Sequence, residues 1–179
     1  MCFNGTLLRR GGALLLPGLC AAVLSARVLK TPEEAIALAF PGTQVTKEAH
    51  YLTPQQKATL AAQGVGEVPG LVFQYRVQRE GQLLAFAYLD THRVRTLPET
   101  LLVILNPQGQ VLRVEVLAFA EPPDYLPRDS WYRQFAGTSL DRPPRLGENL
   151  RPVAGATLTA QATATAVRRV LALHQVLSP

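Results

Sequence analysis

Apolar and polar positions along this chain change period several times, and each period implies an element. Residues 110–117 alternate, with Val111, Arg113 and Glu115 on one face and Leu112, Val114 and Val116 on the other, which is the pattern of a strand. Thr100 to Leu105 precedes it across Asn106-Pro107-Gln108-Gly109, so the two form a hairpin. Leu71 to Val77 and Leu83 to Leu89, joined by Arg79-Glu80-Gly81, read as another. The apolar face of residues 112–116 needs a cover. The Ala- and Leu-rich segment Thr159 to Leu177 supplies one, because Ala162, Ala166, Val170 and Leu173 recur at helical spacing.

Two shorter helices precede the strands. Thr31-Pro32-Glu33-Glu34 places an N-cap, a first-turn proline and acidic residues at the start of a helix over 32–40, which Pro41-Gly42 stops. Thr53-Pro54-Gln55-Gln56 starts a second that ends at Gly64. The stretch from Pro122 to Pro152 holds six prolines and reads as a long surface connection with one short helix, Ser130 to Phe135. The expected fold is therefore α+β, an antiparallel sheet of two hairpins packed by a C-terminal helix, with two short N-terminal helices. A chain of 179 residues suits one hydrophobic core.

Residues 7–26 place the basic pair Arg9-Arg10 before an apolar stretch and then small residues, the order of a secretory signal. The apolar part from Gly11 to Ala26 is too short to span a bilayer and is interrupted by Pro17. The expected organisation is an export signal or short membrane anchor over 1–26, an N-terminal helical segment over 27–70 and the main domain over 71–179. The working compartment is then outside the cytoplasm. Both cysteines, Cys2 and Cys20, lie in the first segment, which removes disulfide, thiolate-metal and cysteine-nucleophile chemistry from the rest.

Charge narrows the partners. Two of the 18 basic residues are Arg9 and Arg10, which leaves 16 against 13 acidic ones, and no basic run is interleaved with aromatic residues. Nucleic acid is therefore not an expected partner. His50, His92 and His174 share no metal-ligand spacing. Asp90-Thr91-His92 with Ser130 lacks the strand-to-helix nucleophile elbow that a hydrolase triad of that kind uses.

The chemistry-bearing stretch is Gly155-Ala156-Thr157-Leu158-Thr159, which leaves a proline-stopped loop and opens the last helix. Glycine lets the backbone approach a ligand closely, alanine leaves room, and the unpaired amides of a helix start attract an anion. The hydroxyls of Thr157 and Thr159 add donors, and Arg151 supplies a guanidinium suited to a phosphate. An ordinary N-cap threonine accounts for the same local sequence without a ligand.

Gly155-Ala156-Thr157-x-Thr159 resembles the S-G-A-T-x-T/S signature of the FMN-binding domain in flavin subunits of sodium-pumping quinone reductases and related electron-transport complexes. The resemblance extends to Tyr88-Leu89-Asp90, the hairpin at Asn106 to Gly109, and Val114-Glu115-Val116-Leu117. It continues through Trp131-Tyr132-Arg133-Gln134-Phe135-x-Gly137 and Ala166-Val167-Arg168-Arg169. It implies that FMN is the cofactor, with its phosphate held at Thr157 or bonded to it, and that Glu121, Tyr125, Trp131 and Phe135 wall the ring. Core packing is the competing role for Trp131 and Phe135. Covalently modified members carry an Asp several residues before the signature and a Ser or Thr before its glycine, where this chain has Arg151 and Ala154. The implied activity is electron transfer between a membrane-bound donor and acceptor, with a flavin transferase as a further partner if the bond forms. A flavin-free exported binding or assembly module with the same fold is the alternative.

Overall fold

The computed structural model describes residues 27–178, so the expected export segment over 1–26 lies outside the described residues. Within them six strands form one antiparallel sheet in the order β1-β6-β5-β4-β3-β2. They are β1 (Arg27–Val28), β2 (Gln44–Tyr51), β3 (Leu71–Arg79), β4 (Gln82–Arg93), β5 (Pro98–Leu105) and β6 (Val111–Phe119). Strands β2 to β6 follow one another as a meander, while β1 lies beside β6 at the opposite edge from β2.

Among the described residues four α-helices flank the sheet: α1 (Pro32–Ala39), α2 (Pro54–Ala62), the short α3 (Asp129–Tyr132) and α4 (Thr157–Leu177). The first two start where the sequence places them and for the expected reason. In α1 the Thr31 hydroxyl accepts from the Glu34 amide while the Glu34 carboxylate accepts from the Thr31 amide, and Thr53 with Gln56 repeats this reciprocal cap in α2.

Both faces of the sheet are covered. On one, Tyr88, Leu101, Val103, Leu105, Val111 and Val114 pack under α4 and α2. On the other, Tyr75, Val77, Leu102, Ile104 and Leu117 pack under Ala35 and Ile36 of α1, whose path carries the chain from one sheet edge to the other. The α+β class and the covering C-terminal helix are as expected. Ala166, Val170 and Leu173 are buried and Ala162 half-buried.

Three features depart from the pattern. Strand β2, between the two short helices, buries no residue fully and alternates only between exposed and half-buried, with one slip at Thr46 and Lys47, because it is an edge strand that pairs with β3 alone. On β6 the expected face assignment is broken by a bulge. Leu105 pairs with Val111 but Ile104 pairs with Arg113, so Leu112 is the extra residue and stands 42% exposed while Val111 joins Val114 in the core. The connection from 122 to 152 is also more than surface chain, since Trp131, Tyr132, Phe135 and Leu150 are core residues. In the first hairpin Glu80 and Gly81 both take positive φ, 51° and 80°, the geometry of a two-residue turn that matches strand twist.

Candidate functional site

Helix α4 begins at Thr157, and the residue in the capping position is Ala156, which has no side chain able to cap. Gly155 before it has φ 80°, a left-handed conformation that disfavours a side chain, although a Cβ there would meet nothing within 4 Å. Glycine is thus needed for the turn itself. Thr157 is exposed, and its hydroxyl points back along the chain to donate to the Val153 carbonyl at 3.2 Å. The ordinary capping role is therefore not the one Thr157 takes. The first amides of α4 lack intrahelical acceptors and side-chain partners, and the positive end of the helix dipole adds to their pull on an anion.

Thr159 behaves differently. It is buried, and its hydroxyl donates to the Tyr125 carbonyl at 2.7 Å. That proton holds the connection against the helix, whereas the hydroxyl proposed as a second phosphate donor would have to face the ligand. Leu158 is 52% exposed, beside the helix start.

The remaining expected residues fall into two groups. Arg151 is exposed, and its main chain is fixed by Gln134, which accepts from its amide at 2.9 Å, and by the Trp131 indole, which donates to its carbonyl at 2.7 Å. Tyr125 is half-buried, with the Arg95 guanidinium 4.6 Å from its ring centre, a cation–π distance. Tyr125 meets the start of α4 through the Thr159 hydroxyl. Trp131 and Phe135 do not serve as exposed ring walls, because they are buried and meet edge-on, with ring centres 5.2 Å apart, inside the core under α4. Core packing is the role the fold gives them. Glu121 is also occupied: one carboxylate oxygen accepts from the amides of Arg95, Thr96 and Leu97 at 3.1, 2.7 and 2.8 Å. The amides of Leu97 and Thr96 hold its pKa below the usual carboxylate value. Glu121 clamps the turn between β4 and β5.

That turn and α4 enclose a groove of about 280 Å³ lined by His92, Val94, Leu158, Ala162, Thr165 and Arg169 among others. A larger cleft of about 530 Å³ adjoins it and shares His92, Arg93 and Arg169. Here lies a constellation that local sequence patterns do not assemble. Arg169 of α4 donates to both oxygens of Asp90 at 2.6 and 2.8 Å and to the Val65 carbonyl at 3.2 Å. Asp90 lies 3.0 Å from His92 Nδ1, and His92 Nε2 lies 3.1 Å from a carboxylate oxygen of the fully buried Glu99. This last pair is close but poorly aligned for a hydrogen bond, so it acts through charge. Thr163 and Tyr132 donate to Glu99 from behind at 3.3 and 3.4 Å.

Burial by itself would lower the His92 pKa. The hydrogen bond and charge of Asp90 and the charge of Glu99 outweigh it and push the value up to about 9, so the imidazole is protonated at neutral pH. Burial likewise opposes ionisation of Asp90, but Arg169 and His92 win and hold its pKa below the usual range. The signal in the sequence is Asp90-Thr91-His92 itself: two polar residues two apart on a strand share a face, and here they face α4. Glu99 lies opposite His92 on β5, but that pairing is visible only in the register. Among the described residues no group of three or more His, Cys, Asp or Glu is arranged to hold a metal ion.

No family model, curated protein or solved structure matches the chain.

Proposed function

We propose that the chain carries FMN, with the phosphate at the start of α4, and passes electrons between a membrane-bound donor and acceptor outside the cytoplasm. The observation that carries this reading is the exposed hydroxyl of Thr157 at a helix start without a side-chain cap, directly after a left-handed glycine. An uncapped helix start of this kind suits a phosphate, and the adjoining open groove, where Leu158 and Ala162 of α4 stand among Gln161, Thr165 and Arg169, offers a mixed surface along which a flat ring can lie.

Each residue then has a limited task. The amides of Thr157 and Leu158 bind phosphate oxygens, and Thr157 Oγ1 either hydrogen-bonds to the phosphate or forms the phosphoester. Thr159 ties the helix start to Tyr125, Glu121 fixes the turn that bears Val94 and Arg95, and Arg151 and Arg95 contribute positive charge nearby. FMN supplies one- and two-electron redox chemistry when bound, and no acid or base from the protein is required.

A second reading, a flavin-free exported binding or assembly module, is favoured by one set of observations. Trp131 and Phe135 are committed to the core and Glu121 to the turn, which removes three of the expected ring walls. Co-expression with a flavin transferase separates the two. A yellow protein that gains the mass of FMN at Thr157, or that binds FMN reversibly, supports the carrier; a colourless protein with no affinity for FMN refutes it. Fractionation and the mass of the mature chain test the compartment.

A further inference from the structure

The cleft beside the groove at the start of α4 opens where two strands part. Strand β4 stays in register with β5 as far as Arg93 opposite Pro98, whereas β3 leaves β4 after Gln74 opposite Tyr88. Into the opening face His92, Arg93 and Arg169, which line both cavities. Behind them run Asp90 and Glu99, so the buried chain Arg169–Asp90–His92–Glu99 alternates in sign and is neutral as a unit when His92 is protonated. Its two positive members border the groove. Its most deeply buried negative member, Glu99, lies behind His92.

Position along α4 relates this chain to the proposed flavin. A helix rises 1.5 Å per residue, so Thr165 stands ~12 Å beyond Thr157 along the axis. A phosphate at Thr157 and a ring laid along the groove therefore bring the ring towards His92 and Arg169.

We propose that this ion chain sets the reduction potential of the flavin, His92 and Arg169 favouring the reduced ring and Glu99 opposing them. The proposal rests on the flavin reading above. Two electrons from a membrane-bound reductant and one proton from solvent convert the oxidised ring to its reduced anion, so the cofactor gains one negative charge. Fixed buried charges act on that change with little screening by salt. Stabilisation alone is a weaker explanation of the chain, since buried ion pairs are often no more stabilising than apolar residues of the same size.

The test is a redox titration at neutral pH of FMN-loaded wild type, His92→Gln and Glu99→Gln. Removing the positive charge leaves the chain at minus one and lowers the potential, while removing the Glu99 charge leaves it at plus one and raises it. Each change is expected to alter the reduced-to-oxidised equilibrium at least ~10-fold, ~30 mV for a two-electron couple. FMN affinity, followed by fluorescence, is measured in both, so that each potential is read on fully loaded protein. Opposite shifts from two variants of one buried chain cannot come from general loosening of the fold. Should a buried variant fail to fold, Arg93→Gln takes its place: this guanidinium is exposed and lines both cavities, and its loss lowers the potential. Bound flavin with unshifted potentials, or with shifts of the same sign in the two buried variants, overturns this proposal alone. Failure of wild type to bind FMN overturns the flavin reading and this proposal with it.

Discussion

Raising the pH through the range in which His92 loses its proton is expected to weaken the fold. Folding moves this imidazole from its ordinary pKa of 6.5 to about 9. Between those values the native state binds more protons than the unfolded state, so stability is complete below about pH 6.5 and declines as pH rises towards 9. At ~1.4 kcal/mol per pK unit, the loss is ~3 kcal/mol. Other perturbed groups leave this window clear. Asp90 is ionised throughout it, His174, lowered by burial, contributes stability that is lost only below its ordinary value, and Tyr88 and Tyr132 are raised from 10. Urea unfolding at steps from pH 6 to 9.5 measures the slope in wild type and in His92→Gln. The variant should be the less stable protein at pH 6, nearly flat with pH, and close to wild type at the alkaline end. Parallel curves for the two proteins would refute the assignment of this proton to His92.

Thr157→Ala should leave stability almost unchanged and abolish any flavin that survives denaturation, whereas Thr159→Val should retain that flavin but cost ~1–3 kcal/mol by removing the partner of the half-buried Tyr125 carbonyl; mass spectrometry and urea unfolding read the two effects. Gly155→Ala, placed at φ 80° with open space around it, is expected to cost ~1–2 kcal/mol from backbone strain alone and to weaken FMN binding, measured by unfolding and by fluorescence titration. Leu102→Ala, buried under α1, should cost ~2–5 kcal/mol, while Leu112→Ala at the bulge should stay within ~0.5 kcal/mol. Equal costs at positions 102 and 112 would contradict the register of β6.

What the chain specifies locally is legible from the amino-acid order alone. Capping boxes at Thr31 and Thr53 involve residues three apart, so both helix starts can be read directly. The hairpins can be read because alternation and turn residues are neighbours in sequence, and the start of α4 because glycine, alanine and threonine there act within one turn. What depends on distant partners cannot be read in this way. Strand β2 exists because β3 offers it a full row of paired positions, although none of its own residues is fully buried. The bulge at Leu112 moves Val111 into the core through a register chosen by β5. Thr159 matches the signature as well as Thr157 does, and only a carbonyl 34 residues away decides that its hydroxyl is engaged. Arg169 meets Asp90 across 79 residues, and a bidentate pair of that separation leaves no local pattern. Side-chain period sets which face a residue takes, but the partner across that face is chosen by packing of whole elements, and a buried charge is tolerated only where packing supplies its counter-charge.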